Sequence, residues 1–564
     1  MKRRQAIKIS SLGAIGFSAS INTGCVNNAF SFDHGIASGD PTEERVILWT
    51  RVTPKKVGTV QVVLEVSEKE NFSEIVFKKK LHTSSLIDYT IKYDFKASKY
   101  CKSHQGFFYR FKAGNIFSVV GKSKTFSANT KSLKIGIFSC SNYPAGYFNA
   151  YAAAAKDNLD VWLHLGDYLY EYPMGGYATN IAEKLGRTPV PPHEMVRLAD
   201  YRQRHAQYKL DAGSKELHKN TPLIAIWDDH EFTNDTWKRG AENHSMDGSE
   251  GDFFARRSAA IKAYFEWMPI REQESKRKIF REFKIGSVLH LLMLDTRQYG
   301  RDKQIQPLEY LTNSGFNQAK FYSDLNDSNR NLLGPSQISW IENTVTKTKA
   351  EWTIFGQQVL MTKLKFPDIS NAFKEIPVEL KPYIQLIKLG LPSNLDAWDG
   401  YPKERERLYK IMQRYGKKFI SLAGDTHNAW LSELFDKRGN KVGIEIGTPS
   451  VTSPGLTDYI PIDIEVFEDS IVKKNNELFW MNASNRGFTS IEISKKEIIK
   501  ALFIDLGKSE IEGLSEILLV KEEISLIKKK LNSWMRPKKI DTPFYLFPSS
   551  SKVIYEPLGC VLIL

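Results

Sequence analysis

Between residues 132 and 450 short apolar runs recur, and most of them stop at a chemically active residue. The seven runs are "LKIGIFSC", "DVWLHLGD", "PLIAIWDD", "VLHLLMLDTR", "WTIFGQQ", "KFISLAGDTH" and "KVGIEIGTPS". Each reads as a core strand. Longer, partly helical stretches separate them, such as "FNAYAAAAKD" and "ISWIENTVTKT". These can cover the faces of a sheet, which is α/β architecture. In open α/β sheets, ligands bind beyond the carboxyl ends of the strands. Six ends here carry a suitable group: Cys140; Asp167 with Tyr170; Asp228, Asp229 and His230; Asp295 and Arg297; Gln357 and Gln358; Asp425 and His427. One such ending means little, but six converging predict a polynuclear metal site.

The residue types suggest the cations. Cys140 thiolate, Tyr170 phenolate and His427 imidazole form a set that suits a transition metal, with trivalent iron stabilised by the anionic members. Asp229 and Asp425, with amide oxygens nearby, suit a harder cation such as Ca²⁺, Mg²⁺ or Mn²⁺. Asp167 lies between the two sets in sequence and is the natural bridge. Asp228 and Glu231 in "WDDHEFTND" read as support, since clustered buried acids are costly unless something neutralises them. Singly, each residue has a plainer reading. Cys140 alone would be a buried structural thiol, Tyr170 packing with a bonded hydroxyl, and Arg297 an ion-pair partner of Asp295. His164, His205 and the "DAWDGY" segment around Trp398 are assigned to structure.

Residues 31–128 read differently. "RVILWTRV", "TVQVVLEVS", "FFYRFKAG" and "NIFSVVGKSKTF" are short alternating segments with turn residues between them. That pattern predicts a small antiparallel β-sandwich, and nothing in it clusters chemically. Segments 300–333 and 363–400 are long, irregular and polar or Pro/Gly-containing, as the walls of a site often are. Ile517, Val520, Ile524, Ile527 and Leu531 follow helical spacing, so an amphipathic C-terminal helix is expected, docked on the domain before it or resting on a membrane surface.

The start, "MKRRQAIKISSLGAIGFSASINTGC", has the layout of a secretory signal. Its adjoining Arg3 and Arg4 point to the twin-arginine (Tat) route. Cys25 after Thr23-Gly24 offers a lipoprotein cleavage site, the alternative being simple cleavage nearby. The net charge of +14 is spread thinly, so it favours anionic substrates or surfaces but no specific nucleic-acid binding. The four cysteines form no CxxC pair, against a zinc finger or a disulfide scaffold.

The motifs "FSCSNYPAGYF", "HLGDYLYEY", "WDDHEFTND", "LDTRQYG" and "AGDTHNAW", preceded by "HGIASGDPTEERVILWTRV", resemble those of the PhoD-type alkaline phosphatase and phosphodiesterase family, in order over residues 31–505. The resemblance implies a metallophosphoesterase-type α/β αββα sandwich preceded by a small all-β, immunoglobulin-like domain. The implied layout is an export signal over 1–28, a β-sandwich over 31–128, a catalytic domain over 132–505 and a C-terminal helix and tail over 506–564. It also implies Fe³⁺ with one or two Ca²⁺, ligated by Cys140, Asp167, Tyr170, Asp229, Asp425 and His427. The related purple acid phosphatases carry GDxxY, GNHE and GHxH. Here "GDYLY" keeps the first pattern, while "DDHE" and "GDTH" place Asp229 and Asp425 where that group has an amide and a histidine. Both departures favour calcium over zinc. The implied mechanism is attack of a metal-bound hydroxide on phosphorus. In it His230 contacts a phosphoryl oxygen or protonates the leaving group, and Arg297 neutralises developing charge. Asn142, Gln358 and Asn428 are candidate secondary contacts. The expected protein is a periplasmic or secreted monomer, soluble or lipid-anchored, acting on phosphate mono- or diesters. The alternatives are a phospholipase D-like diesterase acting on lipid head groups and a noncatalytic surface-binding protein on a degenerate fold.

Overall fold

The computed structural model describes residues 29–494 except 102–105, 246, 274, 276–277, 371–372, 374–375, 377, 379–380 and 460–462, and beyond these the paired strands Lys538–Ile540 and Ser551–Val553. The expected leader and the C-terminal amphipathic helix lie outside the described residues.

All seven apolar runs form strands. They divide between two seven-stranded sheets. In the first, Ser132–Phe138, Val161–His164 and Leu223–Ala225 run parallel. In the second, Leu289–Met293, Trp352–Gly356, Phe419–Ala423 and Lys441–Gly447 run parallel. The strands of Val161–His164 and Phe419–Ala423 are buried at every position, because side chains on both of their faces meet other layers. One core joins the sheets: Ile137, Leu163 and Leu165 pack in the same cluster as Leu291, Met293, Ile354 and Leu422. Helices Leu198–Lys209, Ala212–Asn220 and Phe253–Trp267 cover the first sheet through Tyr201, Tyr208, Leu217, Ala260 and Tyr264. Helices Pro335–Val345 and Pro402–Arg414 cover the second through Ile338, Ile341, Leu408 and Met412. The result is an αββα sandwich.

The amino-terminal region is all-β, and it is continuous with the core. Its strands Ile36–Gly39, Arg45–Arg51 and Thr90–Lys96 extend the first sheet beyond Leu223–Ala225. The other layer is the Phe77–Thr83, Val60–Ser67, Phe107–Ala113 and Gly121–Ser123 sheet. Val62, Leu64, Phe107 and Phe111 of that layer close over Ile36, Leu48 and Phe95. At the junction Gly39 lies so close to the core that a Cβ there would sit 2.1 Å from the Pro269 carbonyl oxygen, and Asp40 just after it binds Arg281 through two side-chain hydrogen bonds of 2.6 and 2.9 Å. Alternation in the sequence marks a strand but not its neighbour, so this shared sheet was not visible in the local pattern.

Candidate metal centre

The carboxyl ends of the two sheets meet at one place. The chain after Ser132–Phe138 bridges to the chain after Lys441–Gly447 at Ser139 and Ser450, and Thr448 Oγ1 donates to the Ile137 carbonyl at 3.0 Å. Cys140, Asp167, Asp425 and His427 all take left-handed backbone conformations, with φ of 58°, 55°, 61° and 63°. Such angles are uncommon for residues with a Cβ, and a cluster of them marks a strained, functional loop set. Gly166, with φ of 116°, lets the Asp167 turn approach its neighbour: a Cβ there would lie 2.3 Å from the Asp228 Cβ.

Three sets of potential cation ligands overlap within these loops: Cys140, Asp167 and His427; Asp167, Asp229 and His230; Asp228, Asp229 and Asp425. In each set the donor atoms lie within 4.8 Å of one another. Asp167 is common to the first two, and its Oδ1 is buried without a hydrogen-bond partner. Buried carboxylate oxygens are rarely left so.

On one side of Asp167 the donors are mixed. Tyr170 Oη donates to Asp167 Oδ2 at 3.0 Å, accepts from Ser453 Oγ at 2.7 Å and lies 3.3 Å from His427 Nε2. His427 Nδ1 donates to the Pro454 carbonyl at 2.7 Å, with the Tyr177 hydroxyl 3.3 Å away. That bond fixes the tautomer and turns the Nε2 lone pair inward, as metal-ligating histidines require. Burial holds the imidazole down to about 4, so it stays neutral. Burial, and next Asp167, push the Cys140 thiol and the Tyr170 phenol well above their usual ranges. A cation reverses that balance and favours thiolate and phenolate.

On the other side the donors are carboxylates around one guanidinium. Arg297, fully buried, binds Asp228 through Nε, Asp396 through Nη1 at 2.7 Å and Asp425 through Nη2 at 2.7 Å. Burial would raise the Asp229 carboxyl, but Arg297 and then His230 outweigh it and hold it at about 2. Burial wins at Asp425, lifted to about 6, at Glu231, lifted to about 7, and at Asp235, lifted to about 8. So many acids facing few cations fit added positive charge. The orphaned Asp167 oxygen and the inward His427 nitrogen fit a ligated ion.

Glu231 accepts from the backbone N–H groups of Asp167, Tyr168 and Asp228, tying two ligand loops together. His230 Nδ1 meets buried Glu171 at 2.8 Å. Burial would lower the imidazole's pKa, but Glu171, Asp229 and Asp167 hold it well above the usual range. Asn142 is buried with both amide atoms unpartnered. The other two amides are engaged in structure. Gln358 accepts from Thr296 and donates to the Leu294 carbonyl at 2.9 Å, and Asn428 bonds Thr426 and Leu456. Gln357 accepts from Trp398 Nε1 and Asp295 from the N–H of Arg297. Asp396, Glu171, Ser453 and Tyr177 were not singled out from the sequence. Asp396 stands in the "DAWDGY" segment assigned to structure, yet it grips both Arg297 and Arg301.

Comparison with known proteins bears on the family of the chain. The "PhoD-like phosphatase" family profile matches residues 135–502, and the "PhoD-like phosphatase, N-terminal domain" profile matches residues 21–127. Alkaline phosphatase D of Bacillus subtilis (strain 168) is 31% identical over 503 residues, covering 86% of this chain and 78% of that protein. A solved structure described as "Structure of PhoD" superposes with a TM-score of 0.68 at 29% identity, covering 85% of this chain and 86% of the other. Separately, a stretch of 76 residues is 40% identical to the 4,4'-diaponeurosporen-aldehyde dehydrogenase of Staphylococcus aureus (strain NCTC 8325 / PS 47), covering 13% of this chain and 17% of that enzyme. A match over so small a share of that enzyme carries no activity to this chain.

Proposed function

The chain belongs to the PhoD-like phosphatase family, and on that premise we propose that it hydrolyses phosphate mono- or diesters at the Asp167 cluster, using one iron and one or two calcium ions, outside the cytoplasm. Family membership makes it a metal-dependent phosphoric ester hydrolase; the ions, the residues' roles and the export are this reading. The observation that carries it is Asp167, unpartnered at Oδ1 and shared by a thiol–phenol–imidazole set and by a set with Asp229 and His230, of which Asp229 also joins Asp228 and Asp425.

Cys140, Asp167, Tyr170 and His427 would hold the iron, and Asp167, Asp229 and Asp425 the calcium. The bound cations supply positive charge for phosphoryl oxygens and a nucleophile available at neutral pH. The protein's own groups do the positioning. Glu171 takes His230 Nδ1, which leaves Nε2 to meet a phosphoryl oxygen or hand a proton to the leaving group. Arg297 keeps Asp228, Asp396 and Asp425 from repelling one another, so its charge acts on a substrate through those pairs. Asn142, buried with an unpartnered side-chain amide two residues after Cys140, is the amide free to donate to a phosphoryl oxygen. Export rests on the basic twin-arginine leader, with Tat machinery as the partner, Cys25 as the candidate lipid anchor and a monomer as the working unit. Among the described residues no helix is long and apolar enough to cross a membrane.

The test pairs p-nitrophenyl phosphate with bis-p-nitrophenyl phosphate on cation-replete protein. Hydrolysis of either, lost in Asp167→Asn, is the expected result; a fully active Asp167→Asn protein contradicts the bridging role.

A further inference from the structure

We propose that a groove beside Asp425 is the leaving-group subsite, selecting phosphate esters whose departing alcohol carries a compact apolar ring. The inference rests on the phosphoesterase reading and extends it to a substrate class. The groove has a volume of about 290 Å³. Asp425, Thr426 and Asn428 belong to its lining, so an ester held at Asp425 would have the groove beside it for its alcohol. The lining includes buried Leu360, Trp430 and Ile471 and half-buried Leu364, Phe366 and Leu456.

The wall is built, not incidental. Residues 361–365 belong to no helix or strand, yet each backbone N–H is accepted by a side chain from elsewhere. Glu445 takes those of Met361 and Thr362, Glu477 that of Lys363, Asp399 that of Leu364 at 3.0 Å, and Asn475 that of Lys365 at 2.7 Å. Asn475 also donates to the Lys365 carbonyl at 2.9 Å, and Arg405 holds Asp399 at 2.7 Å. Leu456 is tied to the ligand loop by its N–H bond to Asn428 Oδ1 at 3.3 Å. A loop clamped at five successive amides keeps its apolar side chains apart, and a preorganised apolar concavity next to reactive groups is how ligand sites are made.

The lining decides the chemistry. Trp430 Nε1 already donates to Thr426 Oγ1 at 2.7 Å, so it presents its ring rather than a donor. Thr362, Asp399, Thr426, Asn428 and Asn475 of the lining are already bonded within the protein, so a polyol would lose water for few partners beyond Lys365, Ser393 and Asn394, whereas a ring buries apolar area.

The test compares kcat/KM for benzyl phosphate and glycerol 1-phosphate, each as monoester and as methyl diester, using the cation-replete full chain. Both alcohols leave as primary alkoxides, so intrinsic reactivity does not set the ratio. Wild-type protein should prefer the benzyl ester by at least about tenfold. Phe366→Ala and Leu456→Asn should each lower that ratio by about tenfold, through KM, with glycerol ester turnover kept and Phe366→Leu restoring most of the loss. An unchanged ratio in both variants overturns the proposal. So does an equal loss for both esters, as would follow if another part of the chain filled the groove. Hydrolysis of no ester by wild-type protein would overturn the phosphoesterase reading and this inference with it.

Discussion

On one side of Asp167 stand Cys140, Tyr170 and His427; on the other stand Asp228, Asp229 and Asp425 around Arg297. The first set is held from behind by Ser453, Tyr177 and the Pro454 carbonyl, and Asp167 Oδ1 beside it has no hydrogen-bond partner. The second set is already partly neutralised by a buried guanidinium. Buried like charges must be protonated, paired or metallated. The first side is arranged for the last of these, and the second mixes all three. A cation at the first side should therefore be tightly held, and one at the second more readily exchanged.

That contrast can be broken in several ways. Asp167→Asn removes the group both sides share, so kcat/KM should fall on the order of 10³-fold, with both metals lost in elemental analysis. Loss of only one metal would show that Asp167 serves one side. Arg297→Met leaves several buried acids without their counter-charge and should cost about 3–5 kcal/mol in denaturant unfolding. Added Ca²⁺ should recover part of it, because a cation can replace the missing charge, while the iron content stays unchanged. Tyr170→Phe should weaken metal retention on the first side about 10–100-fold and leave Ca²⁺ dependence intact. Ser453→Ala deletes one hydrogen bond behind Tyr170 and should cost about 1 kcal/mol in stability with activity changed only a few-fold.

The contrast also explains what could be read from the sequence. Strands buried on both faces leave uninterrupted apolar runs, and the candidate ligand loops follow directly at their ends, so the convergence of Cys140, Asp167, Asp229 and Asp425 was legible. Positions fixed by tertiary contact were not. Asp396 sits in an irregular segment without periodicity, and only the fold brings it to Arg297. Glu171 was hidden among the aromatics of "GDYLYEY", although an acid in so apolar a run is itself a signal that a buried partner, here His230, awaits it. Gln358 looked like a contact because it ends a strand, but its amide joins Leu294 to Thr296 across neighbouring chain. The amino-terminal strands were recognisable as strands, while their membership of the core sheet depended on the Gly39–Leu223 pairing.

Two chemically different cation sites would share Asp167. Elemental analysis of the purified full chain, read together with its visible absorption spectrum, tests this most directly. One iron and at least one calcium per chain are expected, with a visible charge-transfer band from thiolate or phenolate to Fe³⁺ that is lost in Cys140→Ala or Tyr170→Phe. A colourless, active protein containing zinc alone would contradict it.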